Sequence, residues 1–222
     1  VPVGSTLIIQ MTLLAYLFAQ QASLVRAFND PGDYPIGISD PDHFPLLLQR
    51  DHTIEFDPRV RKRRAFTRRV HATGEIEYWV HIDYTAYRKA FWRHLSTMHA
   101  VPEAEITSGW HADHLLSKAY ARKFGVQYVR MCLLARRQNL DYGRKFERNM
   151  LAIQQSSRSV FLLDYLCAMK ALGILIPKDR ADYEARKSSI AQELSKKGVV
   201  FPDKRGAEFE LDAYFKWWDV IK

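Results

Sequence analysis

"GWHADHLLSKAYARKFGVQYVRMCLLARRQNLDYG", residues 109–143, carries both a fold signal and a chemical one. Its centre, "YVRMCLLA" (128–135), is apolar, β-rich and of strand length. The segment before it, "DHLLSKAYARKFG", reads as a helix closed by Gly125 in the C-cap role. The segment after it resumes helical spacing in "GRKFERNMLAIQQ", through Phe146, Met150 and Ile153. Polar residues collect at the two junctions: His111, Asp113 and His114 on one side of the strand, Asn139 on the other.

Working upstream, "TAYRKAFWRHLSTMHA" places Tyr87, Phe91 and Leu95 four apart, one face of a helix. "RKRRAFTRRVHATGEIEYWVHIDY" reads as a hairpin whose turn holds Gly74. Residues 29–58, rich in Pro, Asp and Gly, read as an irregular connection. Before them, "LIIQMTLLAYLFAQQASLVRAF" reads as a buried helix: Gln10, Gln20, Gln21 and Ser23 interrupt it, so the apolar run is too short to span a membrane. Downstream, "RSVFLLDYLCAMKALG", "KDRADYEARKSSIAQELSKKG" and "AEFELDAYFKWWDVI" all read as helices. Tyr214, Phe215, Trp217 and Trp218 are expected to close the core. The expected fold is α+β, helix-rich, with a small antiparallel β element. Its parts are an N-terminal helix and connection (1–58), a basic hairpin with the candidate catalytic core (59–156), and a C-terminal helical region packed on that core (157–222).

Composition narrows the partners. A formal charge of +8 over 222 residues, with a pI near 9.5, favours polyanions, nucleic acid ahead of an anionic membrane. Cys132 and Cys167 lie in apolar runs and read as buried thiols; neither a disulfide framework nor a paired-cysteine zinc site is available to them. No phosphate-cradling glycine loop or serine-nucleophile motif is present, so NTPase and serine-hydrolase readings lack support. The chain opens on Val1 rather than Met, which reads as a piece of a longer protein.

The junction residues suit phosphodiester hydrolysis, which needs a cation at the phosphate and a base for water. Asp113 is a hard oxygen ligand of the kind magnesium or manganese accepts, with zinc less suited. His114 can take a proton at neutral pH. Asn139 can return a carbonyl oxygen to the same cation. His111 either joins a two-histidine metal site, binds the scissile phosphate, or caps the following helix. Asp113 as a helix cap and Asn139 as a turn residue remain the structural alternatives. Two further Asp–His pairs, Asp42–His43 and Asp51–His52, lack the strand and Asn behind them and read as turn residues.

The order "DH", strand, "N", glycine and basic helix ("NLDYGRKFER") resembles the HNH, or His-Me finger, nucleases. Within that family it is most similar to the phage junction-resolving endonucleases and to nuclease domains of bacterial polymorphic toxins. The resemblance spans about residues 109–150. It implies a ββα-metal-like site with Asp113 and Asn139 as metal ligands, His114 as general base and Arg144 as a phosphate contact. It also implies a toxin domain of a larger effector, acting in the cytoplasm of a target cell and countered by an acidic inhibitor or immunity protein. The chain departs from the family in its longer, helix-like segment between His114 and Tyr128. It also lacks a histidine in the last helix of the motif and has no zinc-binding cysteine pairs.

Basic residues frame this centre. Arg61, Arg63, Arg64, Arg68 and Arg69, on an expected strand, suit a phosphate backbone; Lys118, Arg122, Arg136 and Arg137 bracket the site. The leading expectation is therefore a metal-dependent endonuclease acting on DNA ahead of RNA. The alternatives are a non-catalytic nucleic-acid-binding protein and a helical module that meets an acidic protein.

Overall fold

The computed structural model describes residues 12–29, 34–44, 51–102, 105, 109–145 and 159–216. Its strands are β1 (Pro35–Ile38), β2 (His52–Phe56), β3 (Ala65–Val70), β4 (Glu75–His81), β5 (Trp110–His114), β6 (Tyr128–Ala135) and β7 (Val160–Leu162). They form one seven-stranded antiparallel sheet, ordered β2-β3-β4-β6-β1-β7, with β5 also on β6; the sheet curls into a half-barrel. The helices are α1 (Leu13–Asn29), α2 (Tyr87–His99), α3 (Lys118–Lys123), α4 (Arg136–Lys145), α5 (Tyr165–Leu172), α6 (Arg180–Lys196) and α7 (Ala207–Phe215).

The expected small β element is thus corrected to a sheet that organises the molecule. Four strands differ from expectation: β2 replaces part of the irregular connection expected over residues 29–58, and three more were hidden for physical reasons. "PIGI" is buried on both faces and so shows no alternation. Gly37 within it would, as alanine, put a Cβ 2.8 Å from Val126 Cγ1, so β1 runs where only a bare backbone fits. "WHADH" has no β-branched residue, and "VFL" is a three-residue strand ahead of an apolar helix. The segment expected as strand from Arg59 to Arg69 is also shorter: Arg61–Arg63 form a 3-10 turn with positive φ at Lys62 and Arg63.

β6 is the hub. Tyr128–Arg130 pair with β4, Tyr128 and Val129 with β1 on the other side, and Met131–Ala135 with β5. Where the β4 pairing ends at Arg130, α1 takes over. The Gln20 amide donates to Leu133 O at 3.0 Å and accepts from Leu133 N at 2.8 Å, so one side chain stands in for a strand. Thr12 opens α1 by accepting from the Ala15 N–H. The expected buried helix is present from Leu13, with Leu13, Tyr16, Leu17 and Leu24 on its inner face; residues 1–11 lie outside the described ones.

The main core packs α1, α2 and α5 against the sheet and draws residues from Leu13 to Ala171. A second core, among α4 to α7, includes Tyr142, Met169, Tyr183, Leu194 and Phe215. Tyr214 packs against it, as the sequence suggested, whereas Trp217 and Trp218 lie outside the described residues. Both cysteines are buried thiols outside any disulfide. A third, aromatic layer joins Phe44, Phe66, Trp79 and Tyr128. Arg68 enters this layer rather than solvent. It is 2% exposed, its Cζ lies 4.8 Å from the Phe44 ring centre, and it pairs with Glu77 at 3.1 Å, the residue directly opposite it in β4. No helix among the described residues is long and apolar enough to cross a membrane.

Replacing Gln20 with alanine strands a buried N–H and a buried C=O on the hub strand. The expected loss is about 3 kcal/mol in urea unfolding. Phe18→Ala, on the exposed face of the same helix, should stay within about 0.5 kcal/mol of the parent.

Candidate active site

The opening stretch folds as strand, strand and helix. β5 lies antiparallel to β6 with His111 opposite Leu134, Asp113 opposite Cys132 and His114 opposite Met131, and α4 follows β6 without a loop. The helix-like segment between the strands is real but short. It is α3, whose N-cap Ser117 accepts from the Tyr120 N–H, and Gly125 beyond it has φ +72°.

Strand alternation puts His111 and Asp113 on one face of β5, and Ala112 and His114 on the other. α4 lies against β5, and the Asn139 side-chain amide Nδ2 comes within 3.1 Å of His111 Nδ1. Burial, then the Arg88 and Arg136 charges, lowers the His111 pKa, so this partly exposed imidazole is neutral at pH 7. Asn139 therefore meets His111; the structure records no contact between Asn139 and Asp113 among the described residues.

Asp113 has a different partner. Lys170, from α5 and only 3% exposed, places Nζ 2.8 Å from Asp113 Oδ2 and donates to the His114 carbonyl at 3.0 Å. Burial by itself raises the Asp113 carboxyl, but the Lys170 ammonium and then His114 outweigh it and hold the group well below the usual carboxylate range. The other carboxylate oxygen, Oδ1, is 3.8 Å from His114 Nδ1.

His114 is buried behind Tyr87, with ring centres 4.3 Å apart, and its Nε2 has no hydrogen-bond partner. Burial pushes its pKa down against the pull of Asp113, which keeps the ring neutral. Lys118 lies over the same tyrosine, its Nζ 4.3 Å from the ring centre. Burial, followed by Arg122, lowers the Lys118 pKa.

Of the expected basic contacts, Arg136 and Arg137 are exposed beside the site, and Lys118 is partly buried at it. Arg122 is exposed and pairs with Asp83 at 2.8 Å. Arg61 and Arg63 are exposed on the 3-10 turn, and Arg64 and Arg69 are partly buried. Arg68 is enclosed and cannot reach a backbone phosphate. Arg144 belongs to α4, and its side chain lies outside the described residues. Of the other Asp–His pairs, Asp42 sits in a 3-10 turn and His52 begins β2.

Sequence reasoning missed Lys170 and Tyr87. Lys170 had a visible signal: a lone cation inside "YLCAMKAL", a segment too apolar to leave it in water. The donors at this centre are one carboxylate, one amide and two imidazoles. Among the described residues no three His, Cys, Asp or Glu side chains gather as a metal-holding group.

Removing the ammonium by Lys170→Met leaves a buried carboxylate unpaired and should cost about 3 kcal/mol. Adding Asp113→Asn should recover much of that loss, a coupling readable in chemical denaturation of the two single variants and the double one. No family model, curated protein or solved structure matches the chain.

Proposed function

We propose that this chain is an endonuclease that hydrolyses phosphodiester bonds of DNA at the Asp113–His114–Asn139 centre. One observation carries the reading. A strand–strand–helix unit brings His111 and Asn139, separated by 28 residues, to 3.1 Å, on the strand face that also bears Asp113. Exposed Arg136 and Arg137 lie at the start of the same helix, where they can hold a backbone phosphate.

In this reading His114 is the general base. Its Nδ1 faces Asp113, and its buried Nε2 is left with no bond to make. Tyr87 covers it and is the group that substrate displaces on entry. His111, positioned by Asn139, contacts the phosphate from the open side. Lys170 keeps Asp113 ionised and contributes a fixed positive charge beside the reacting phosphate.

The donor set suits a magnesium or manganese ion only in part, because Asn139 turns its amide to His111 rather than to Asp113. Asp113 offers a carboxylate and Asn139 a side-chain carbonyl, hard oxygens that such ions take together with waters. Lys170 already holds one Asp113 oxygen, so the cation would share this carboxylate with an ammonium. When bound, it supplies Lewis-acid polarisation of the phosphoryl oxygen.

Supercoiled-plasmid nicking tests the reading. The parent protein should nick DNA with magnesium or manganese, and Asp113→Asn, His114→Ala and Asn139→Ala should each slow it by about a hundredfold or more. The base must be neutral, and burial lowers the His114 pKa. Activity should therefore persist as pH falls through about 6.5 and drop only below it. Tyr87→Ala, which opens the ring to water, should move that acid limb upward. Equal rates with metal and with chelator would remove the metal. Absence of nicking, with steeply salt-dependent DNA binding intact, would leave a binding protein instead.

A further inference from the structure

Away from Asp113, a cleft of about 400 Å³ opens between α1, the β3–β4 turn and the end of α2, with Arg130 of β6 among its lining residues. Arg130 is 7% exposed. Among the described residues its guanidinium donates no hydrogen bond. Its contacts are an ion pair at 3.3 Å to Glu77 Oε1, on which Nη1 fails to align, and the Tyr34 ring, whose centre is 4.4 Å from Cζ. A guanidinium carries five N–H donors, and burying them without acceptors is costly.

Glu77 cannot settle this account alone. It is shared with Arg68 at 3.1 Å, and its Oε2 also accepts from Trp79 Nε1 at 2.9 Å. At the rim Arg26 pairs with Glu75 at 2.8 Å. Arg26, Arg68 and Arg130 thus share two carboxylates, and Arg69 adds its charge at His99, so the cleft carries a positive surplus.

The remaining polar groups are donors or neutral. Burial keeps the Tyr16 hydroxyl protonated, and burial followed by the Arg69 charge pushes His99 down to about 4. His99 Nε2 is buried without a hydrogen-bond partner. Ala19, Ile76 and Met98 supply apolar walls. The size falls within the range of small-ligand pockets.

We propose that this cleft binds a small organic carboxylate, its head group on Arg130 and its apolar body between α1 and Met98. An anion matches the surplus, and a carboxylate meets the guanidinium fork in a bidentate manner while its organic body meets the apolar walls. The site is independent of the phosphodiester chemistry.

Isothermal titration of the full chain with benzoate, hexanoate, phenyl phosphate and inorganic phosphate tests it. Benzoate or hexanoate should bind saturably, and more tightly than either phosphate. Arg130→Gln should weaken that binding by about tenfold or more. Because Arg130→Gln also disturbs Glu77, Ala19→Trp provides the second arm. It fills the mouth from an exposed helix position, touches no hydrogen bond, and should abolish binding with the circular dichroism unchanged. No saturable carboxylate binding by the parent, binding unaffected by Ala19→Trp, or a preference for the phosphates would each overturn the proposal.

Discussion

The pairing of β6 with three strands and one glutamine is the constraint on which the rest of the molecule depends. β6 is eight residues long and buried over all but its last, so every backbone group on it needs a partner inside the protein. β4 and β1 serve its first half, β5 its second, and Gln20 supplies the amide at Leu133. Because α4 follows at once, the register of β5 on β6 also decides which side chains of "WHADH" meet that helix. Fold and candidate chemistry are set by the same ladder.

Buried charge is the second theme. Arg68, Glu77 and Arg130 lie within the sheet, and Lys170 and Asp113 lie between β5 and α5. Such groups add little net stability by comparison with an apolar replacement, but removing one partner leaves an uncompensated charge at several kcal/mol. Each cluster therefore fixes a relative placement: β3 against β4 and β6 in one case, α5 against the strand that bears Asp113 and His114 in the other. The histidines follow the same physics with the opposite charge state. Burial pushes His94 to about 3 and His99 to about 4, so both are held neutral inside the fold.

Much of this was legible in the sequence where periodicity and turn chemistry agree. The β3–β4 hairpin with Gly74 at its turn, the β6 strand, α2 and α6 all lie where local pattern puts them. The juxtaposition of His111 and Asp113 also follows from the period of two once β5 is known to be a strand. What stayed hidden depends on tertiary context. β1 is four residues long and tolerates Gly37 because Val126, Leu116 and Phe161 fill the space a side chain would take. β7 is three residues long and borders an apolar helix. Arg68 reads as a surface cation until Phe66 and Val70, two residues to either side, place it on their inward face. Asn139 approaches His111 rather than Asp113 because α4 leaves β6 without a loop, a geometry no local spacing encodes.

The measurement that bears most directly on this account is the β5–β6 register, read from cross-strand NOEs in a labelled sample. The account predicts Asp113 opposite Cys132 and His111 opposite Leu134, with the His111 ring close to Asn139. A register shifted by one residue would turn Asp113 and His111 to the opposite face of the sheet, away from α4. That result would contradict the site and the function built on it.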